Sequence, residues 1–167
     1  MEWILLLGIA NGMRTMTPIT VLCWFMWFAT LPVTRFNFWT ANIYSVGIFT
    51  LMALGEYYVD TLPTTPSRKS PGPLVARLVF GAFVGALVSS SFMNPLAGGI
   101  LLGAIGALIG TFGGYRLRMY LAGRLKNDFP VAVGESVLAV LISAVAMYQL
   151  GGEFVAQQKE ALLQLLR

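Results

Sequence analysis

An arginine stands in the middle of the first long apolar run, with a proline four residues behind it. Gly8–Pro18 reads Gly-Ile-Ala-Asn-Gly-Met-Arg-Thr-Met-Thr-Pro, and Trp3–Leu7 and Ile19–Phe28 flank it with almost wholly apolar sequence. Such a run is long enough to cross a bilayer, whose hydrocarbon layer takes roughly 20 helical residues. Asn11 and Arg14 would then lie inside the hydrocarbon, where a guanidinium costs from roughly 2.5 to more than 10 kcal/mol. Arg14 must therefore face a protein partner or a water-filled cavity, and that need constrains how the other helices pack. Pro18 takes a backbone hydrogen bond away from the turn that holds Arg14, so the segment is expected to kink or break there.

Composition supports the same class. Hydrophobic residues make up 57% of the chain and charged residues 11%, against about a quarter charged in soluble domains. The mean hydropathy is +0.74. A length of 167 residues suits one domain. The net charge of +4 rests on few, scattered basic residues; this fits orientation by cytoplasmic Lys and Arg and gives no footprint for nucleic acid. There is no histidine, which removes the commonest general base and metal ligand. Cys23 is the lone cysteine, so no intrachain disulfide can form. No catalytic residue, metal site or cofactor is read from the sequence. The N-terminus lacks a positive n-region and a small-x-small site, so the first helix is expected to be retained.

Five apolar segments pass the length test for spanning helices, near Trp3–Thr30, Trp39–Asp60, Pro73–Met93, Leu96–Leu121 and Pro130–Leu150. The expected fold is all-α, an integral membrane helical bundle of about five transmembrane helices with a broken or kinked first helix. Pro32, Pro63, Pro73, Pro95 and Pro130 sit at expected helix ends, where a missing N–H costs little. The connections Thr61–Gly72 and Ala122–Phe129 carry Arg68, Lys69, Arg124 and Lys126, and with five spans they share one side. The positive-inside rule then places the chain in a plasma (inner) membrane, multi-pass, with a cytoplasmic N-terminus and an external C-terminus. Two half-spans in the first segment would change that parity. Residues 1–151 form the expected transmembrane domain. Gly152–Arg167, ending Ala-Leu-Leu-Gln-Leu-Leu-Arg, reads as an amphipathic interfacial helix or tail. Leu62–Pro73 holds four prolines among its polar residues and reads as a stiff topogenic loop, whose Arg68 and Lys69 can meet lipid phosphate or an anionic solute.

Two constellations stand out. Gly99, Gly103, Gly106, Gly110, Gly113 and Gly114 recur three or four apart on the fourth segment, with Gly81 and Gly85 on the third. Such a face admits close approach of a neighbouring helix, within the chain or in a homo-oligomer. The charges form the second set. Glu56 and Asp60 share a helix face; Arg77 lies one turn into the third segment, Arg116 and Arg118 end the fourth, and Asp128 and Glu135 flank the start of the fifth. With Asn11 and Arg14 they can form a polar cluster in one half of the bundle, where intramembrane charges must pair. Asn11, Arg14, Glu56, Asp60, Arg77, Arg116 and Glu135 are the candidates for substrate binding or coupling. Asp60, Arg118 and Asp128, nearer the interface, also have a plain solvated or register-fixing explanation.

The halves echo each other faintly: Asn11-Gly12-Met13-Arg14 against Gly113-Gly114-Tyr115-Arg116, and Asp60-Thr61-Leu62-Pro63 against Asp128-Phe129-Pro130. With five spans the first and fourth helices oppose, the relation of a weak inverted repeat. Gly12–Pro18, the Glu56–Asp60 helix end leading into Leu62–Arg68, Pro73 with Arg77, and Gly110–Arg116 together resemble a bacterial family of small multi-spanning membrane proteins known as a domain of unknown function. The resemblance runs from Gly8 to about Ala146 and implies an inner-membrane protein. It carries over no activity, substrate or catalytic residue.

Three functions compete. A transporter or channel for a small anionic solute or lipid head group would use the broken helix and buried arginines, with Arg14 meeting the anion. An enzyme acting on a lipid phosphate would need carboxylates sharing a divalent cation, and only Glu56 and Asp60 are close in sequence. A structural or accessory subunit would use the charges to fix register and the glycines to dock a partner. Transport ranks first, and the bilayer and a small anionic ligand are the expected partners.

Overall fold

The computed structural model describes residues 1–60, 70–125 and 128–166, and the described residues are helical apart from short connections. The elements are α1 (Glu2–Met13), α2 (Thr17–Trp27), a 3₁₀ turn (Phe38–Ala41), α3 (Ile43–Val59), α4 (Pro71–Ser91), α5 (Leu96–Leu125) and α6 (Asp128–Leu165). The prolines act as expected of a residue without an N–H: Pro18 lies in the first turn of α2 and Pro71 in that of α4. The Leu62–Arg68 motif and Lys126 lie outside the described residues.

Every apolar segment of the sequence is helical, and the break in the first is a reversal. Arg14 takes an extended conformation (φ −140°, ψ 112°) directly after α1. Met1 comes within reach of Gly98 and Met13 of Gly114, so α1 runs parallel to α5. Trp3 Nε1 donates to Glu153 Oε1 (2.9 Å), while Gly151 lies beside Thr30 at the far end of α2. Arg14, in the turn, instead touches Ala132 near the start of α6. The start of α1 and the end of α2 thus share one end of the bundle, and the turn between them sits at the other. At 12 and 11 residues each arm is about 16–18 Å long, roughly half of a hydrocarbon layer. Residue 1 therefore lies on the side of the Phe28–Asn42 connection, opposite Asp60 and Ser70, which reverses the sidedness expected from a single crossing. It also makes α1 and α5 parallel, so the Asn11–Arg14 and Gly113–Arg116 echo does not join an inverted pair of helices.

Among the described residues, three helices, α4, α5 and α6, are long and apolar enough to cross a membrane. Their outward faces carry Leu101, Ile105, Leu141 and Val145, all about half exposed or more. So large an apolar surface is a liability in water and is satisfied by lipid. Residues 152–165, the expected tail, continue α6 without a break.

The glycine stripe on α5 is used inside the chain along most of its length. Gly99 and Gly103 meet Gly85 and Gly81 of antiparallel α4, whereas Gly106 and Gly110 meet α1 at Gly8 and Gly12. A Cβ on Gly81 would stand 2.7 Å from Ala107 Cβ, and one on Gly8 would stand 2.9 Å from Gly106 Cα. Either contact is closer than packed carbon atoms allow, so backbone touches backbone here. The apolar core fills the opposite end of the bundle: Ile4 and Leu7, Ile19, Leu22 and Met26, Val84, Leu87 and Val88, with Met147 and Leu150. Buried Asn37 closes that end, accepting from Thr34 N–H (2.6 Å) and donating to Ser91 Oγ (2.7 Å). Apolar packing thus gathers at one end, and the charges are left to the other.

Candidate functional site

A reversal inside the bundle leaves a helix C-terminus and a helix N-terminus facing inward together. The first presents unpaired carbonyls and the second unpaired N–H groups, each equivalent to about half a charge. Both are met by side chains from distant parts of the chain. Arg77 on α4 donates through Nη1 to the Gly12 and Met13 carbonyls (3.0 Å to the latter) at the end of α1. Glu56 on α3 accepts from Thr15 N–H (2.7 Å) and Met16 N–H (2.8 Å), with one carboxylate oxygen for each, at the start of α2. The cation sits on the negative helix end and the anion on the positive one. The two then face each other across 3.9 Å.

Arg14 itself is 1% exposed. It forms a short ion pair from Nη1 to Asp60 Oδ2 at the end of α3, and Nη2 donates to Ala132 O on α6 (3.0 Å). Its guanidinium also lies over the Tyr57 ring, 5.2 Å from the centroid; such stacking adds about 0.5–2 kcal/mol. Tyr57 Oη bonds to Thr17 Oγ1 (2.7 Å), tying α3 to the first turn of α2. Asn11 donates to the Arg77 carbonyl (2.7 Å), and Thr111 Oγ1 reaches the Gly12 carbonyl at 3.3 Å. Arg14 Nε and Asn11 Oδ1 are buried, with no hydrogen-bond partner among the described residues.

A second charged group adjoins the first. Arg118 on α5 donates to Asp128 through Nε (3.0 Å) and Nη2, and its Nη1 stands 3.7 Å from Glu135 Oε2. Arg14 bonds to Ala132, one turn before Glu135 on α6, so the two groups adjoin. A cleft of about 380 Å³ opens beside them, between α5 and α6, with Met13 on its wall. Among the described residues, no three His, Cys, Asp or Glu side chains gather as a metal site.

Six of the seven candidate residues therefore lie at one end of the bundle: Asn11, Arg14, Glu56, Asp60 and Arg77 in the inner group, and Glu135 in the outer one. Arg116 does not join them. It lies on the exposed face of α5, since two residues on a helix are about 200° apart and Arg118 takes the inward position. Tyr57 and Thr111 were not among the candidates. Tyr57 lies about 100° around α3 from Glu56 and about 60° from Asp60, outside the narrow arc that those two share, so the spacing that revealed them did not reveal it.

Residues 78–166, just over half of the chain, match the family described as protein of unknown function (DUF1269). The chain belongs to this family. No curated protein matches the chain, and no solved structure does. The DUF1269 region begins one residue after Arg77 and takes in most of α4 with α5 and α6. It includes the glycine stripe, Gly110–Arg116, Arg118, Asp128 and Glu135. Asn11, Arg14, Glu56, Asp60 and Arg77 lie outside it, so the inner group is built by the N-terminal half upon a DUF1269 scaffold.

Proposed function

We propose that the chain is a multi-pass protein of a plasma membrane that moves a small anionic solute or lipid head group past the reversal between α1 and α2. The observation that carries this reading is a pair of half-helices whose ends face buried charges. Arg14 is held by one carboxylate, Asp60, and an entering anion can take the place of that carboxylate on the guanidinium. Released Asp60 then has Arg118 nearby. Such partner exchange lets an anion enter without leaving a bare charge in a low dielectric. Glu56 and Arg77 hold the two helix ends in place meanwhile.

The test is flux in proteoliposomes, screening phosphate, sulfate, small carboxylates and glycerophosphates. Saturable uptake of one class is expected, lost in Arg14→Lys, which keeps the charge but not the forked geometry. Monodisperse elution of that variant controls for folding. No flux of any class from folded wild-type protein would overturn the proposal. It would favour a structural or accessory subunit, a reading supported by the match of two arginines with two carboxylates in the inner group. For a lipid-phosphate enzyme the geometry is less favourable, because Glu56 and Asp60 turn to different partners.

Orientation follows from the reversal together with the positive-inside rule. Asp60, Ser70 and Asp128 are assigned to the cytoplasmic side, and residue 1 and the Phe92–Pro95 turn to the outer side. Single cysteines at Glu2 and Asn94 should react with an impermeant maleimide from outside, and one at Asp128 from inside. Labelling of Glu2→Cys together with Asp128→Cys would exclude the hairpin.

A further inference from the structure

Arg116 is the candidate that both charged groups leave out, and it stands on a face of its own. Ile105, Ile109, Phe112, Arg116, Tyr120 and Arg124 recur three or four apart on α5, so they form one stripe. Every one of them is exposed, Ile109 at 50% and Tyr120 at 58%. Gly99, Gly103, Gly106 and Gly110 hold another side of α5 against α4 and α1, which leaves this stripe turned to the bilayer. The helix begins at Leu96, and a hydrocarbon layer takes roughly 20 helical residues. The far boundary of that layer therefore falls close to Arg116. Ile105, Ile109 and Phe112 lie within the hydrocarbon, Arg116 at the depth of lipid phosphates, and Tyr120 and Arg124 about 6 and 12 Å further along the axis. Long side chains on a helix lean toward its N-terminus, and Arg124 does so: its guanidinium lies over the Tyr120 ring, 5.2 Å from the centroid. That lean brings the second cation down toward the first.

The charge on this face is unmatched within the chain. Of the seven acidic residues, Glu2, Glu153 and Glu160 lie toward or beyond the other end of the bundle. The remaining four, Glu56, Asp60, Asp128 and Glu135, face Arg77, Arg14 and Arg118. Among the described residues neither Arg116 nor Arg124 makes an ion pair. A stripe that is apolar at hydrocarbon depth and cationic at phosphate depth complements an amphiphile with an anionic head. We infer that this face of α5 binds an anionic phospholipid, phosphatidylglycerol in the simplest case, with its phosphate on Arg116 and an acyl chain along Phe112 and Ile109. Arg124 supplies the selectivity. A zwitterionic lipid carries its ammonium outward from the phosphate, toward that second guanidinium, and like charges repel. The inference does not depend on the transport reading, because a lipid on this outer face stands off the path past the α1–α2 reversal.

The experiment is native mass spectrometry of the full chain released from mixed micelles containing equal phosphatidylglycerol, phosphatidylethanolamine and phosphatidylcholine. The glycerol lipid should be retained in preference to either zwitterion by more than about tenfold, since each arginine near an anionic head group contributes roughly fivefold. Arg116→Gln and Arg124→Gln should each lower that preference about fivefold, and the double variant should bring the three lipids level. Both side chains are exposed, so the variants keep their fold, which monodisperse elution checks. Arg35→Gln, an exposed arginine at the other end of the bundle, should leave the preference unchanged. Inorganic phosphate in large excess should not displace the lipid, because it has no chain to lie along Phe112. Equal retention of the three lipids by the wild-type chain, a preference that survives the double variant, or one lost equally in Arg35→Gln would each overturn the assignment. Displacement by inorganic phosphate would overturn it too, by showing a site for a soluble anion.

Discussion

The inner and outer charged groups use the same residue types at the same end of one bundle, yet they do different physical work. In the inner group the side chains of Arg14 and Arg77 are 1% and 5% exposed and those of Asp60 and Glu56 12% and 14%. They act on backbone as much as on each other, capping the ends that the reversal creates. In the outer group Arg118 grips an aspartate that is more than half exposed. Burial and backbone partners, not the count of ion pairs, decide what each group is worth. Removing one partner of a buried pair strands the other, while an exposed pair is replaced by water.

The strongest break in that comparison is Glu56→Ala. It uncovers the Thr15 and Met16 N–H groups and takes the facing anion from Arg77, so a loss of about 3–5 kcal/mol is expected. Thermal unfolding in detergent measures it, and a loss below about 1 kcal/mol would place Glu56 with the outer group. Arg14→Ala should cost a similar amount, since it removes the buried guanidinium that pairs with Asp60, bonds to Ala132 and stacks on Tyr57. The sharper form is the double change Arg14→Met with Asp60→Leu. Apolar replacement of a whole buried pair is often neutral or stabilising, so the double variant should be more stable than Arg14→Ala alone. The converse result would show that Arg14's bonds to Ala132 and Tyr57, not its charge pairing, hold the turn.

How far the sequence reveals these two groups differs as well. Arg14 inside an apolar run demanded a buried partner, and Glu56 with Asp60 at helical spacing supplied a face to meet it. Pro18 marked where a helix could not continue. A proline says that the backbone bond is missing, but it does not say which way the chain leaves. That direction is set by Glu56 and Arg77, both far away in sequence, and by the short stubs that α1 and α2 become once both are capped. A local reading therefore gave a kinked or broken first segment without choosing between them and, with five spans, an opposed α1 and α5. The choice between Arg116 and Arg118 was equally hidden, because α5 is apolar on several faces and its rotation is fixed by glycines packing on α4 and α1. Asp128 and Glu135, seven residues apart on one face of α6, were the available hint.

The glycine stripe gives the next prediction, of intermediate size and of two signs. Gly106→Val drives a side chain against the Gly8 Cα, 2.8 Å from the added Cβ, and against Ile9 N at 2.9 Å. Overpacking of this kind costs typically about 1–3 kcal/mol. It should also loosen the inner group, because it pushes away the α1 end that Arg77 caps. Gly113 belongs to the same stripe, but an added Cβ meets nothing within 4 Å among the described residues. Gly113→Ala should therefore stabilise α5 by about 0.8–1 kcal/mol, the ordinary gain of alanine over glycine in a helix. Destabilisation by both substitutions would mean that the stripe meets a second copy of the chain beyond Gly110.

The smallest effect belongs to the outer group. Asp128→Asn leaves Arg118 exposed to water on one side and near Glu135 on the other, so its cost should be about 0–1 kcal/mol. A double-mutant cycle with Arg118→Gln isolates the coupling, and raising the salt from 0.1 to about 1 M should erase most of it, because the screening length falls from about 10 to 3 Å. The Arg14–Asp60 coupling, measured the same way, should hardly respond to salt. The contrast has one point of contact, since Arg14 bonds to Ala132, one turn from Glu135 of the outer group. If Asp128→Asn weakens the Arg14–Asp60 coupling, freed Arg118 is drawing Asp60 away. That would be the partner exchange on which entry of an anion depends, seen without any substrate present.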